Sequence, residues 1–259
     1  MTTMPGTSQA SKAGVPTTPV ILPMELARSS AGQAPPDHRF FGQRRATRVE
    51  DFAFPAITPE DAESSAGGAP GAIWPKCGCR ETVQAGMKLA EAIGQRLPSG
   101  HPSVLAITSP GDGDGKTRVL TALAPELARR THGGLLVVDA DFRNADLTGL
   151  LALAASRTPG ASPLIYPTDL PGLNVLPMPP GLQSRYLDAA WVEEIRENWP
   201  LTLLDMASLE HAETASLLRH CDGVCLVVRL GHTARRAVVE AGRVISTCGG
   251  RLLGSVVVA

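Results

Sequence analysis

The sequence predicts an α/β fold with a doubly wound, mainly parallel sheet, preceded by a disordered N-terminal region. Three observations carry that prediction. From about residue 81 onward, short apolar runs alternate with helical patterns, which is the signature of strand–helix–strand units. One apolar run leads through a glycine-rich loop into a helix, and others end in aspartates, at the carboxyl ends where such sheets present ligands. Residues 1–75 are rich in Pro, Ala, Ser, Thr and Gly and show neither helical nor strand periodicity. The expected organisation is a disordered region over 1–75 and one folded domain over 76–259.

The elements follow in order. In the N-terminal region the Arg39–Arg45 patch, with Phe52 and Phe54, reads as a solvated linker or a short docking segment. A helical pattern runs from about Glu81 to Arg96 and stops near Ser99-Gly100. The first strand is Val104–Thr108, and the helix after the glycine loop spans Val119 to Arg130. Pro125 falls inside that helix, where it removes a hydrogen bond and costs ~3 kcal/mol, so a kink or a restart at Pro125 is expected. Strands follow at Leu135–Val138 and Leu173–Leu176. Asp188 is placed to cap a helix carrying Trp191, Ile195 and Trp199 on one face, stopped by Pro200. Then come a strand Leu201–Leu204 ending at Asp205, a strand Gly223–Val228, a helix Thr233–Cys248 closed by Gly249-Gly250, and a last strand Leu252–Val258.

Composition narrows the function classes. The net charge is −1, and residues 1–75 carry six basic against seven acidic residues, so no nucleic-acid-binding surface is expected. No apolar run reaches the length of a membrane span, and Val20-Ile21-Leu22 is too short for a signal-peptide core. Five cysteines form no disulfide framework, which suits a reducing cytoplasm. Cys77-Gly78-Cys79 is too tight for a zinc pair, and Cys225 sits in an apolar strand pattern.

The segment Ser109-Pro110-Gly111-Asp112-Gly113-Asp114-Gly115-Lys116-Thr117 is the centre of the chain. Gly115-Lys116-Thr117 is the core of a phosphate-binding P-loop. Its glycines let backbone N–H groups converge on an anion at a helix N-terminus. Gly111, Asp112, Gly113, Asp114, Gly115, Lys116, Thr117 and Arg118 are therefore the expected nucleotide-binding residues. Pro110 stands where the general motif has its first glycine. A calcium loop starting at Asp112 fails because Leu123 occupies its glutamate position, and a dinucleotide fingerprint fails because Lys116 occupies its third glycine. A plain polar turn is the remaining alternative. Against it, the chain holds four lysines and twenty arginines yet keeps lysine at this position.

Asp139 and Asp141 follow the second strand, and Asp205 ends another. Residues two apart on an extended segment point the same way, so Asp139 and Asp141 can share one metal and one attacking group. Capping a loop or helix is the alternative role for each.

Together, T-S-P-G-x-G-x-G-K-T, the V-V-D-A-D-F-R stretch and a strand ending in Asp resemble the bacterial tyrosine kinases of capsule and exopolysaccharide synthesis. That family belongs to the deviant P-loop ATPase group that also holds the Min and Par partition proteins. The resemblance covers about Glu81 to Ala259. It implies a P-loop NTPase fold, with ATP and Mg²⁺ as cofactors. It further implies that Lys116 holds the β/γ-phosphates and Thr117 the Mg²⁺, that Asp139 and Asp205 hold the metal's water shell, and that Asp141 activates an attacking tyrosine hydroxyl. The catalytic set is then Lys116, Asp139 and Asp141, and the metal set Thr117, Asp139 and Asp205; Arg143 completes the motif. The implied partner is a membrane-embedded polysaccharide export or chain-length protein, with this chain cytoplasmic at the inner membrane face.

The sequence departs from the family in four places. Its only tyrosines are Tyr166 and Tyr186, outside any C-terminal cluster. The ring-assembly motif E-x-x-R-x-x-R keeps Glu81 but has Gln84 and Met87, so a monomer or dimer is expected rather than a ring. Asp205 continues as Met206-Ala207-Ser208 instead of x-P-P. No asparagine ends the last strand. A catalytically inactive adaptor of the same export system is the alternative. A partition-type ATPase is disfavoured, because Gly111 stands where that branch has a signature lysine.

Overall fold

Residues 20–22, 72–76, 80–98, 100–153, 165–177 and 188–259 are described by the structure, a computed structural model, with residues 20–22 described in their backbone only. The Arg39–Arg45 patch, Cys77, Cys79 and Tyr186 lie outside the described residues. Among the described residues eight strands form one sheet: β1 (Val20–Leu22), β2 (Ser103–Thr108), β3 (Leu135–Ala140), β4 (Tyr166–Pro167), β5 (Leu173–Pro177), β6 (Leu201–Met206), β7 (Gly223–Arg229) and β8 (Leu252–Val258). Their order is β1-β8-β7-β2-β6-β3-β5-β4. The six strands from β8 to β5 are parallel, and β1 and β4 add antiparallel edges. From β2 the chain crosses to β3 on one side and later to β7 on the other. The strand order therefore reverses at β2, and the crevice beyond its carboxyl end is where an open α/β sheet binds ligands.

Among the described residues six helices cover the two faces: α1 (Arg80–Gly94), α2 (Lys116–Ala128), α3 (Asp146–Leu150), α4 (Ala189–Asn198), α5 (Ala212–Leu218) and α6 (Arg235–Thr247). The alternation along a strand divides the core. Leu105 and Ile107 of β2 pack with Leu89 and Ile93 of α1 and Leu120 and Leu123 of α2. Val104 and Ala106 point the other way, onto Trp191, Ile195 and Trp199, Leu217 and Leu218 of α5, and Ala241 and Ile245 of α6. A strand buried on both faces needs no polar alternation, which is why β2, β3 and β6 are buried throughout. Asp188 caps α4 by accepting from Trp191 N at 3.1 Å, and the tryptophan face is core, as expected.

Two expectations change. α2 is unbroken through Pro125. The proline leaves the Thr121 carbonyl without its helical donor, and the indole Nε1 of Trp74 donates to that carbonyl at 3.0 Å instead. Second, structure begins upstream of residue 76. Trp74 is buried, its N–H donates to Asp169 Oδ1 at 2.7 Å, and Ala72 exchanges hydrogen bonds with Pro167 O and Asp169 N. Ala72–Trp74 is thus a strap across α2 and the β4–β5 turn, and Val20–Leu22 pairs with β8. α3, α5 and β4 are too short to leave a periodic signal in the sequence.

The two helices on the P-loop side approach closely at one point. A Cβ on Gly86 of α1 would lie 2.4 Å from the Ala122 carbonyl of α2, so only glycine permits this crossing.

Candidate functional site

The loop between β2 and α2 folds as the glycines allow. Gly113 and Gly115 have φ of 78° and 91°, the left-handed region that a side chain disfavours. Between them Asp114 is buried and ties the loop together. It accepts from Gly111 N at 3.2 Å and from the Thr233 hydroxyl at 2.6 Å. Thr233 also accepts from Arg229 N, and the Arg229 guanidinium reaches Gly113 O at 3.3 Å. The loop after β7 is therefore knitted to the β2–α2 loop, and Asp114, expected to touch nucleotide, holds that loop's shape in this structure. On its other side the loop is fixed by Ser109 O, which accepts from Leu209 N.

Lys116 and Thr117 open α2 beside the carboxyl ends of β3 and β6. Asp139 and Asp205 stand opposite each other in the β3–β6 register. The Thr117 hydroxyl donates to Asp205 Oδ2 at 2.7 Å. The Asp139 Oδ2 accepts from both the N–H and the hydroxyl of Thr148 at the start of α3. Asp141 Oδ1 accepts from Arg143 N and Asn144 N, each at 3.2 Å, and its Oδ2 is 4.0 Å from Lys116 Nζ. The three acids expected from the sequence are thus brought together with Lys116 and Thr117. Arg118 and Arg143 are exposed, and Arg143 meets this centre through its backbone N–H on Asp141.

Each of the three acids is buried, and each keeps one oxygen without a hydrogen-bond partner: Asp139 Oδ1, Asp141 Oδ2 and Asp205 Oδ1. Burial pushes Asp139 up to about 6. Burial, then the charge of Asp139, pushes Asp205 up to about 8. Buried acceptors without donors are costly, and a hydrated divalent cation supplies the missing donors and charge. The donor set of hydroxyl and carboxylate oxygens fits Mg²⁺. Sequence reasoning missed Thr148, which reaches Asp139, and Thr233 and His211, which reach the loop, all through tertiary contacts. Thr233 does appear in the sequence as a hydroxyl residue just before a helix.

No protein-family model matches the chain. Among curated proteins, the tyrosine-protein kinase CpsD of Streptococcus agalactiae is 29% identical over 168 residues, covering 58% of this chain and 72% of the relative. The chain is a divergent relative of the bacterial tyrosine kinases. Solved structures agree on the fold. The kinase domain of the Escherichia coli tyrosine kinase ETK superposes with a TM-score of 0.61 at 16% identity, covering 78% of this chain and 94% of that domain. The chimerical protein CapA2B2 gives 0.60 at 20% identity, covering 77% and 98%. The septum site-determining protein MinD of Pyrococcus horikoshii, solved with Mg-ADP, gives 0.52 at 20% identity, covering 60% and 69%. These similarities support a kinase-like P-loop fold for the chain. Among the described residues no helix is long and apolar enough to cross a membrane.

Proposed function

We propose that this chain binds Mg-ATP at the β2–α2 loop and acts as a kinase-like component of capsule or exopolysaccharide synthesis. The observation that carries the reading is the grouping of three buried carboxylates, each with one oxygen lacking a hydrogen-bond partner, in which Asp141 lies beside Lys116 and Asp205 accepts from Thr117. Gly111, Asp112, Gly113, Gly115, Lys116, Thr117 and Arg118 would surround the phosphates, with Asp114 holding the loop in shape. Thr117 would be the direct ligand of Mg²⁺, with Asp139 and Asp205 on its waters. No three His, Cys, Asp or Glu side chains form a direct metal cage among the described residues, which suits an ion arriving with its nucleotide. When bound, Mg-ATP supplies the transferable phosphoryl group and the charge that neutralises its leaving diphosphate. Lys116 would balance phosphate charge. Asp141 would accept the proton of a tyrosine hydroxyl as that oxygen attacks. The acceptor would lie on a partner, a membrane-embedded polysaccharide export or chain-length protein, with this chain at the cytoplasmic face. The working unit is the domain over 76–259, carrying the strap ahead of it and preceded by the low-complexity region.

Isothermal titration with ADP and ATP, with and without Mg²⁺, tests the site. The unmodified chain should bind only weakly without Mg²⁺. Lys116→Met keeps side-chain volume but removes the cation. It should weaken binding about tenfold to a hundredfold, the scale of one or two charged hydrogen bonds, while the circular dichroism spectrum stays unchanged. Equal binding by both, or by neither, rejects a nucleotide site.

A second reading, an adaptor that binds nucleotide without phosphoryl transfer, is favoured by the tyrosines. Tyr166 is buried on β4.

A further inference from the structure

Lys116, the phosphate-balancing residue of the proposed site, already faces anions. Its Nζ lies 4.0 Å from Asp141 Oδ2 and 3.9 Å from Asp112 Oδ1. The two acids differ in freedom. Asp141 is 2% exposed, and two backbone N–H groups hold its other oxygen. Asp112 is 46% exposed and sits on the loop itself. Its second oxygen, Oδ2, lies 3.3 Å from His211 Nε2, on the segment between β6 and α5. Asp112 therefore reaches the P-loop lysine with one oxygen and an imidazole with the other, and the Ser208 side chain also lies against it. The remaining acids near the loop are placed otherwise. Asp114 is committed to Gly111 and Thr233, and the Glu210 carboxylate lies beside Gly111.

We infer that Asp112 is an internal anion on Lys116 that incoming phosphate must displace, and that His211 is the positioning residue that takes Asp112 when it leaves. The inference rests on the nucleotide reading above and names what controls affinity at that site. One ammonium cannot serve a phosphate and two carboxylates equally, and the buried, doubly anchored Asp141 is the one that stays. Asp112 can rotate toward solvent, and its second partner is already in contact. His211 does not cap α5 with its side chain, so its ring is free for this role and its removal leaves the helix intact.

Titration of Mg-ADP into the full chain and four variants tests this. An ion pair with one half-exposed partner is worth at most about 1 kcal/mol, so Asp112→Asn should bind about threefold tighter, a gain no structural weakening produces. His211→Ala should bind severalfold weaker in the native background and unchanged in the Asp112→Asn background, because its action runs through Asp112. Glu210→Gln removes a neighbouring charge without touching Lys116 and should leave affinity as it was. Asp112→Asn binding equally or more weakly overturns the inference. So does an equal gain in Glu210→Gln, which would make the effect general repulsion, or an undiminished His211→Ala loss in the double variant. Failure of the unmodified chain and all variants to bind Mg-ADP removes the nucleotide reading itself. Binding by the unmodified chain without the Asp112→Asn gain removes this inference alone.

Discussion

Asp139 and Asp205 stand opposite each other across β3 and β6, each with one oxygen lacking a hydrogen-bond partner. Their folded-state values, about 6 and about 8, lie above the ordinary carboxylate value of 3.8 that the unfolded chain approaches. Between those limits the folded state holds more protons than the unfolded state, so stability falls as pH rises from about 4 to about 8. Each group contributes a slope of at most about 1.4 kcal/mol per pH unit in its own window. The metal-free protein should therefore melt at a lower temperature at pH 8 than at pH 5. Asp205→Asn should flatten that profile and raise the melting temperature at pH 8, and Mg-ADP should raise it most at high pH. A profile that rises toward pH 8 contradicts this account of the two acids. At this scale the grouping of the candidate residues was largely legible. Lys116, Thr117, Asp139, Asp141 and Asp205 were each marked by residue type beside a strand end or a glycine loop. Thr148, Thr233 and His211 were not, because a hydroxyl or imidazole outside a motif acquires meaning only when the chain brings it to a charged neighbour.

Helix α2 shows what an element-level reading can and cannot see. The proline penalty was visible in the sequence, and the expected break followed from it. The compensation was not visible, because the donor is Trp74, separated from Thr121 by 47 positions and lying in a stretch that composition assigned to the disordered region. Trp74→Phe keeps the ring but removes the indole N–H, leaving a buried carbonyl unpaired at a cost of about 1–3 kcal/mol. Pro125→Ala restores a helical donor for that carbonyl, so Trp74→Phe should cost clearly less in the Pro125→Ala background. Urea denaturation of the four proteins measures the coupling. Strictly additive effects would show that the two residues do not share the Thr121 carbonyl. The longer elements, β2, β3, β6, β7, β8, α4 and α6, were legible because apolar runs and one-sided helical faces repeat over several residues. α3, α5, β1 and β4 were not, since each is too short for its pattern to stand out from a loop.

The whole molecule sets what the proposed phosphoryl-transfer site could reach. Tyr166 lies on the outermost strand, β4, beyond β3 and β5, with its side chain buried. Self-phosphorylation on Tyr166 should be absent or weak, and labelling of a partner should drop sharply in Asp141→Asn. Incubation with labelled ATP followed by phosphotyrosine mapping decides it; strong labelling of Tyr166, lost in Lys116→Met, would restore a self-phosphorylating kinase. The altered ring motif, with Gln84 and the exposed Met87 on α1, predicts a monomer or dimer in sedimentation, and an octamer-sized species would contradict it. The strap of Ala72–Trp74 has one more consequence, in the time domain. It is bonded to the middle of α2, at the Thr121 carbonyl, and to the β4–β5 turn, with no helix or strand of its own to hold it. Neither it nor the proline-containing half of α2 is complete without the other. Under native conditions the amides of Trp74, Arg129 and Asp169 should then become exchangeable together, as one sub-global opening, at a common rate slower than loop fraying and faster than global unfolding.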